Sequence, residues 1–222
     1  MWSVLENNMP DLLRGALTTT ALAVTGGAVA LATALLLGIL LTSRHRLLRW
    51  PARCWVEIFR GVSALVLLFV CFYVLPLFGW PLSSFQAATL GLGLNIGAYG
   101  ADIVKGAIES VPKGQMEASV ALNMPTWMAM WRIILPQALV MMLPSLATNQ
   151  VILLKATALT SLIAVSELTA NANRLALVDG NRNNLYLTIL VIYFALSLTF
   201  SSAFRFVEKR MARRLHVRRA SA

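Results

Sequence analysis

The chain has 222 residues, of which 58% are apolar and 13% charged, with a formal net charge of +10 and a mean hydropathy of +0.72. A soluble domain carries about 25% charged and about 45–50% apolar residues. One soluble core could not hide this much apolar surface, so the composition points to an all-α integral membrane protein. A spanning helix takes about 20 apolar residues, and the length allows roughly four to six spans. Cys54 and Cys71 lie in or beside apolar runs and form no disulfide framework. Residues 1–11 are net acidic and the apolar run after them is too long for a signal peptide's core, so a cleavable signal is not expected.

Five spans are expected, at about 16–41, 61–80, 85–104, 138–165 and 185–206. The first carries small residues at every fourth position, Gly26, Ala30, Ala34 and Gly38, and the third carries the pair Gly93 and Gly97. Both are patterns that let helices approach closely. Between the first two spans, SRHRLLRWPAR reads as a basic loop. Pro76 is expected to bend or end the second span. Residues 105–136 form a polar loop, and 166–184 a polar stretch. The fourth run contains Asn149, Gln150 and Lys155, and reads either as one tilted span or as a span with a short return helix. No soluble domain, internal repeat or low-complexity tract is visible.

With five spans the termini lie on opposite sides. Fifteen Lys and Arg fall on one side (the loop after span one, counted through Arg60, the 105–136 loop and the basic tail counted from Arg205) and three, Arg14, Arg174 and Arg182, on the other. The positive-inside rule then puts the C-terminus and long loop in the cytoplasm and the N-terminus outside. The basic excess is thus a topology signal that can also touch membrane lipid, and no nucleic-acid partner is expected. His45 and His216, in basic segments, read as surface residues.

In the long loop, Gln115–Leu122 are good helix formers preceded by Pro112 and followed by Asn123, Met124 and Pro125. Helices commonly stop at a left-handed Gly or Asn with Pro shortly after, so a short helix should end at Asn123. A second helical stretch, Trp127–Ile134, follows. An apolar, capped helix on such a loop reads equally as a docking knob for another protein or as packing against the chain's own span ends.

Glu117-Ala118-Ser119, Asn123 and Ile133-x-Leu135-Pro136 resemble the EAA motif of permease subunits of bacterial ABC importers. The stretches LNIGAYGADIVKGAIESVPKGQMEA, ILPQAL, LLKATAL, SELTANA and VEIFRG resemble the polar amino acid uptake branch. VLPLFG, GAYGADIVKGAI and ALNMP look closest to permeases for ectoine and hydroxyectoine. The resemblance implies a type I importer permease fold in the bacterial inner membrane. It further implies a second permease, identical or related, two cytoplasmic ATPases that hold ATP and Mg, and an extracytoplasmic solute-binding protein. The loop helix would be the coupling helix, with Glu117, Ala118, Ser119, Asn123, Met124, Leu135 and Pro136 at the ATPase contact. Glu117 would pair with a basic ATPase residue, cap its own helix, or both.

The chain has no GxxxxGK[ST] motif, no metal-ligand cluster and no Ser/His/Asp set, so it is expected to be a non-catalytic subunit without its own cofactor. A self-contained carrier or channel is the competing class, which the lack of an inverted repeat argues against. A membrane assembly scaffold is a third. Against the family pattern, Asn123 stands for Gly, Val62-Ser63 for Thr-Pro, Leu67 for Gln, and Ala156 for an Asp. These losses put a cationic substrate in doubt. Polar groups at membrane depth tend to face cavities or partners, which makes Asn95, Tyr99, Asn149, Gln150, Lys155 and Thr157 candidates, and Ser63, Asn95, Tyr99, Lys155 and Thr157 are nominated for the substrate path. For Asn95 an interhelical hydrogen bond is the alternative, and for Lys155 an ion pair with the partner permease or this chain.

Overall fold

A computed structural model describes residues 2–179 and 182–215. His216, Arg218 and Arg219 lie outside the described residues. In chain order the helices are α1 (Trp2–Leu41), α2 (Arg46–Gly61), α3 (Ala64–Phe69), α4 (Ser84–Glu109), α5 (Lys113–Ala121), α6 (Thr126–Ala129), α7 (Leu135–Ala156), α8 (Leu168–Asp179) and α9 (Arg182–Leu215). Short π-helical turns follow α3 and α6, and 3₁₀ turns occupy Leu75–Phe78 and Thr157–Ile163.

The two small-residue stripes meet each other. Gly93 lies against Val29 and the Gly26 carbonyl, Gly97 against Thr33 and the Ala30 carbonyl, Gly100 against Ala34, and Gly38 against Val104. The pairs climb together along both helices, so α1 and α4 are parallel and their backbones nearly touch. α7 runs the other way: Leu146 approaches Gly100 and Leu153 approaches Gly26. Val104, Ile108, Ile134, Ala138 and Met142 form the apolar core where α4 and α7 meet at one end of the bundle. Two carboxamides lock the centre, Asn149 Nδ2 donating to the Ile96 carbonyl at 3.0 Å and Gln150 Nε2 to the Ala23 carbonyl at 2.6 Å.

Three helical segments are long and apolar enough to cross a membrane, Met9–Leu41, Thr126–Ile163 and Arg182–Arg213, and the bent pair α2 with residues 64–78 makes a fourth. α4, expected as a span at 85–104, is less apolar because it carries Asn95, Asp102 and many glycines, and most of its length is buried against neighbouring helices. A helix walled in by neighbours need not be apolar on every face.

Several boundaries differ from expectation. The first helix begins at Trp2 rather than near residue 16. The basic loop is a helix: α2 tolerates Pro51 in its first turns, then ends in a 101° bend at residues 62–63. Pro76 does end the second run, which tightens into a 3₁₀ turn and stops at Gly79 with φ +84°. The fourth run continues as one segment to Ile163, and the polar stretch after it contains a helix, α8.

Glu167 explains α8. Its buried carboxylate accepts from the Thr169 and Ala170 N–H groups at 2.8 and 2.7 Å and from the Tyr193 hydroxyl at 2.9 Å, capping the helix. Burial pushes this carboxyl up and the backbone bonds pull it back. Leu168 N–H donates to Thr19 Oγ1 and Asn171 Nδ2 to the Asp11 carbonyl, pinning α8 to the start of α1.

The close approach of α1 and α4 is checked by a pair of substitutions. A Cβ at Gly97 would lie 2.7 Å from Thr33 Cβ and 3.0 Å from the Ala30 oxygen, whereas one at Gly106 meets nothing within 4 Å. Gly97→Ala is expected to lower stability by about 1–3 kcal/mol through overpacking, read as a lower Tm of the purified protein. Gly106→Ala should leave Tm unchanged or raise it through helix propensity. Equal shifts would refute the tight seam.

Candidate functional site

The bend between α2 and α3 opens a cavity of about 540 Å³ against the middle of α4 and one face of α7. Its wall includes Arg60, Ser63, Asn95, Tyr99, Asn149 and Ile152. The bend leaves carbonyls at the end of α2 without helical partners, and at membrane depth no bulk water is available to satisfy them. α4 supplies the donors: Asn95 Nδ2 bonds the Phe59 carbonyl at 2.8 Å and the Val62 carbonyl at 3.3 Å, and Tyr99 Oη bonds the Arg60 carbonyl at 3.1 Å. Asn95 therefore makes the expected interhelical hydrogen bond and lines the cavity as well.

Arg60, a loop charge by sequence, lies instead at the end of α2, on the cavity wall, with its guanidinium paired to Asp102 of α4 and, at 3.8 Å, to Glu57. Asp102 inside an expected span was the available signal, because an ionisable residue there calls for a named partner. Ser63 is exposed at the start of α3, and its side chain makes no cap hydrogen bond. Ser63, Asn95 and Tyr99 thus come together. Lys155 and Thr157 do not join them, since the cavity-facing side of α7 is Asn149, Ile152 and Ala156. Lys155 is exposed, with no carboxylate in ion-pair range among the described residues. Thr157 is fully buried and donates to the Leu154 carbonyl.

A second feature stands at the end where α1, α4 and α9 finish. α5 is followed by Asn123 at φ +54°. Met124 N–H reaches back to the Ser119 carbonyl and Asn123 N–H to the Val120 carbonyl, the paired bonds of a Schellman stop. The expected left-handed Asn is present. Glu117, Ala118 and Asn123 are exposed, together with Val120, Leu122 and Trp127. Ser119 and Leu135 are buried, while Met124 and Pro136 are half-buried. These four brace the exposed surface more than they form it. Pro112 occupies the cap position of α5 and no side chain caps it, so the self-capping role for Glu117 is not realised.

Residues 34–213 match the family described as the inner membrane component of binding-protein-dependent transport systems. A probable amino-acid ABC transporter permease of Sinorhizobium fredii, y4tF, is 41% identical over 72% of this chain and 69% of its own length. The L-cystine transport system permease protein TcyB of Bacillus subtilis is 32% identical over 96% of this chain and 92% of its own. The glutamine transport system permease protein GlnP of Escherichia coli is 32% identical over 95% and 97%. A crystal structure of an amino acid ABC transporter with histidines superposes with a TM-score of 0.83 at 30% identity, covering 93% of this chain and 96% of that one. The chain belongs to the inner membrane components of binding-protein-dependent transport systems, among the amino-acid ABC transporter permeases.

Proposed function

We propose that this permease subunit passes a polar amino acid or amino-acid-like compatible solute through the cavity at the α2–α3 bend, and that α5 couples it to a separate ATPase. The observation that carries the reading is α5 itself. It is a capped helix at the basic end of the bundle, and it presents Glu117, which has no ion-pair partner among the described residues, beside exposed Val120 and Leu122. A helix whose apolar residues face outward beside an unpartnered carboxylate is built for a groove with a basic contact. The basic end is the cytoplasmic one by its Lys and Arg content, which leaves the N-terminus outside. A second permease completes the cavity, two ATPases carry ATP and Mg, and an extracytoplasmic binding protein delivers the solute.

The cavity wall favours a zwitterion. Arg60 is neutralised by Asp102 and Glu57, and Ala156 stands where the family often has Asp. No unpaired carboxylate is among the wall residues to hold a cationic side chain. Relatives named for glutamine and L-cystine transport fit that class. The resemblance of Val74–Gly79 and of the GAYGADIVKGAI stretch to ectoine-type permeases favours ectoine or hydroxyectoine within it.

Three measurements test this reading. Glu117→Ala is expected to lower uptake and solute-stimulated ATP hydrolysis about tenfold, the loss of one charge-assisted contact, while the permease still inserts. Unchanged uptake would exclude α5 as the coupler and favour a scaffold or a self-contained carrier. Ser63→Trp, which fills the cavity from an exposed position, should abolish uptake with little change in Tm, and full uptake by this variant would place the path elsewhere. Equilibrium binding of ectoine, hydroxyectoine and individual amino acids to the cognate binding protein should find a zwitterionic ligand. Binding of only basic amino acids would overturn the assignment of solute class.

A further inference from the structure

Helix α2 has three faces, and the fold uses only one. Ala52 and Val56 pack on Leu37, Leu41 and Ala101. At about 100° per residue, Arg46, Arg49, Arg53, Glu57 and Arg60 form a polar row beside that contact. Beyond the row lies an apolar face that touches little of the chain: Leu47 is 89% exposed, Trp50 71% and Ile58 60%. Arg60 and Glu57 are paired with each other, and Arg60 also with Asp102. Arg46, Arg49 and Arg53 have no carboxylate in ion-pair range among the described residues.

Position narrows the occupant. The apolar span Met9–Leu41 ends five residues before Arg46, and α2 packs on the last turns of that span. The last turn of α2 reaches Asn95 in mid-bundle, where the 101° bend takes the chain on, while its first turns stand at the membrane boundary. A helix at that level with Trp and Leu on one side and a row of unpaired arginines on the next matches the acyl boundary and an anionic headgroup layer. A second copy of the same face would bring arginine against arginine.

We propose that α2 is an interfacial anchor that binds anionic phospholipid. Leu47 and Trp50 enter the acyl boundary, Ile58 faces the acyl chains further in, and Arg46, Arg49 and Arg53 hold headgroup phosphates. The anchor fixes the outer arm of the α2–α3 bend, so the lipid surface becomes part of the frame around the cavity.

The test uses the full chain in vesicles of phosphatidylcholine with phosphatidylglycerol. A nitroxide is attached at Leu47→Cys in a Cys54→Ala, Cys71→Ala background. High collision with oxygen and low collision with a water-soluble nickel chelate are expected. Access to the chelate would mean that the face lies in water, and protection from both would mean that protein covers it. Either result overturns the proposal. Spin-labelled phosphatidylglycerol should associate with the wild-type chain in preference to spin-labelled phosphatidylcholine. That preference should fall about fivefold per arginine in Arg46→Gln, Arg49→Gln and Arg53→Gln at low salt, and an unchanged preference overturns it. The wild-type preference should also vanish at high ionic strength, where screening is complete within about 3 Å. Its persistence there overturns the proposal even if the variants fail to fold.

Discussion

The seam between α1 and α4 constrains the rest of the molecule. Gly26, Ala30, Ala34 and Gly38 face Gly93, Gly97, Gly100 and Val104 closely enough that an added methyl group would collide at several points. In lipid, where no hydrophobic effect drives helices together, close backbone packing of small residues is a main source of association. The two helices are parallel, and this has a topological cost. Residues 42–83 must bring the chain back to the end where α1 began, and they do so in two arms, α2 and residues 64–78, set at 101°.

That broken return creates the cavity. A straight helix would satisfy its own backbone, whereas a bend exposes the carbonyls of Phe59, Arg60 and Val62. α4 repays them with Asn95 and Tyr99, one helical turn apart on the same face. Arg60 and Asp102 add an ion pair between the same two elements. The polar residues at mid-depth are thus first a scaffold for the bend and, through it, the wall of a solute-sized space. Asn149 follows the same logic from α7, its amide on the Ile96 carbonyl and its side chain on the cavity wall. Among the described residues no buried side-chain polar atom lacks a hydrogen-bond partner.

What could be read in advance was what depends on local spacing. The two small-residue stripes were visible as separate patterns, although nothing in them said that they pair with each other and in parallel. The left-handed stop at Asn123 was visible because Asn followed by Pro two residues on has a backbone meaning of its own. α2 was missed because its arginines and Pro51 read as a loop, while the apolar positions that make it amphipathic were spread over two faces. Arg60 was misplaced for the same reason, with its partner Asp102 more than forty residues away. α8 was missed because TANANR is polar, and its cap, Glu167, depends on Tyr193 and on burial that only the folded chain supplies. Lys155 and Thr157 share only their depth with the residues of the cavity wall. Whether a residue at the right depth reaches the cavity depends on its angle around α7, and that angle is set by α7 packing on α1 and α4.

Any force applied at α5 can reach the cavity along only a few routes. α5 is tethered on one side to the end of α4 by three residues and on the other to α6, which leads through a π-helical turn at Met130–Ile134 into α7. Met116 on α5 and Met130 and Ile133 on that turn pack against the core of Val104, Ile108, Ala138 and Met142. The two helices that receive the load, α4 and α7, are the two that carry Asn95, Tyr99 and Asn149. A displacement of α5 that tilts α7 against α4 would act first on the Asn149–Ile96 bond. Next it would act on the Asn95 and Tyr99 bonds that hold the bend of α2 in shape. The π-helical turn at Met130–Ile134 interrupts the regular helical ladder on this route. A stiff link through the α4–α7 core and a departure from regular helix at residues 130–134 would turn a small movement of α5 into a change in the width of the bend.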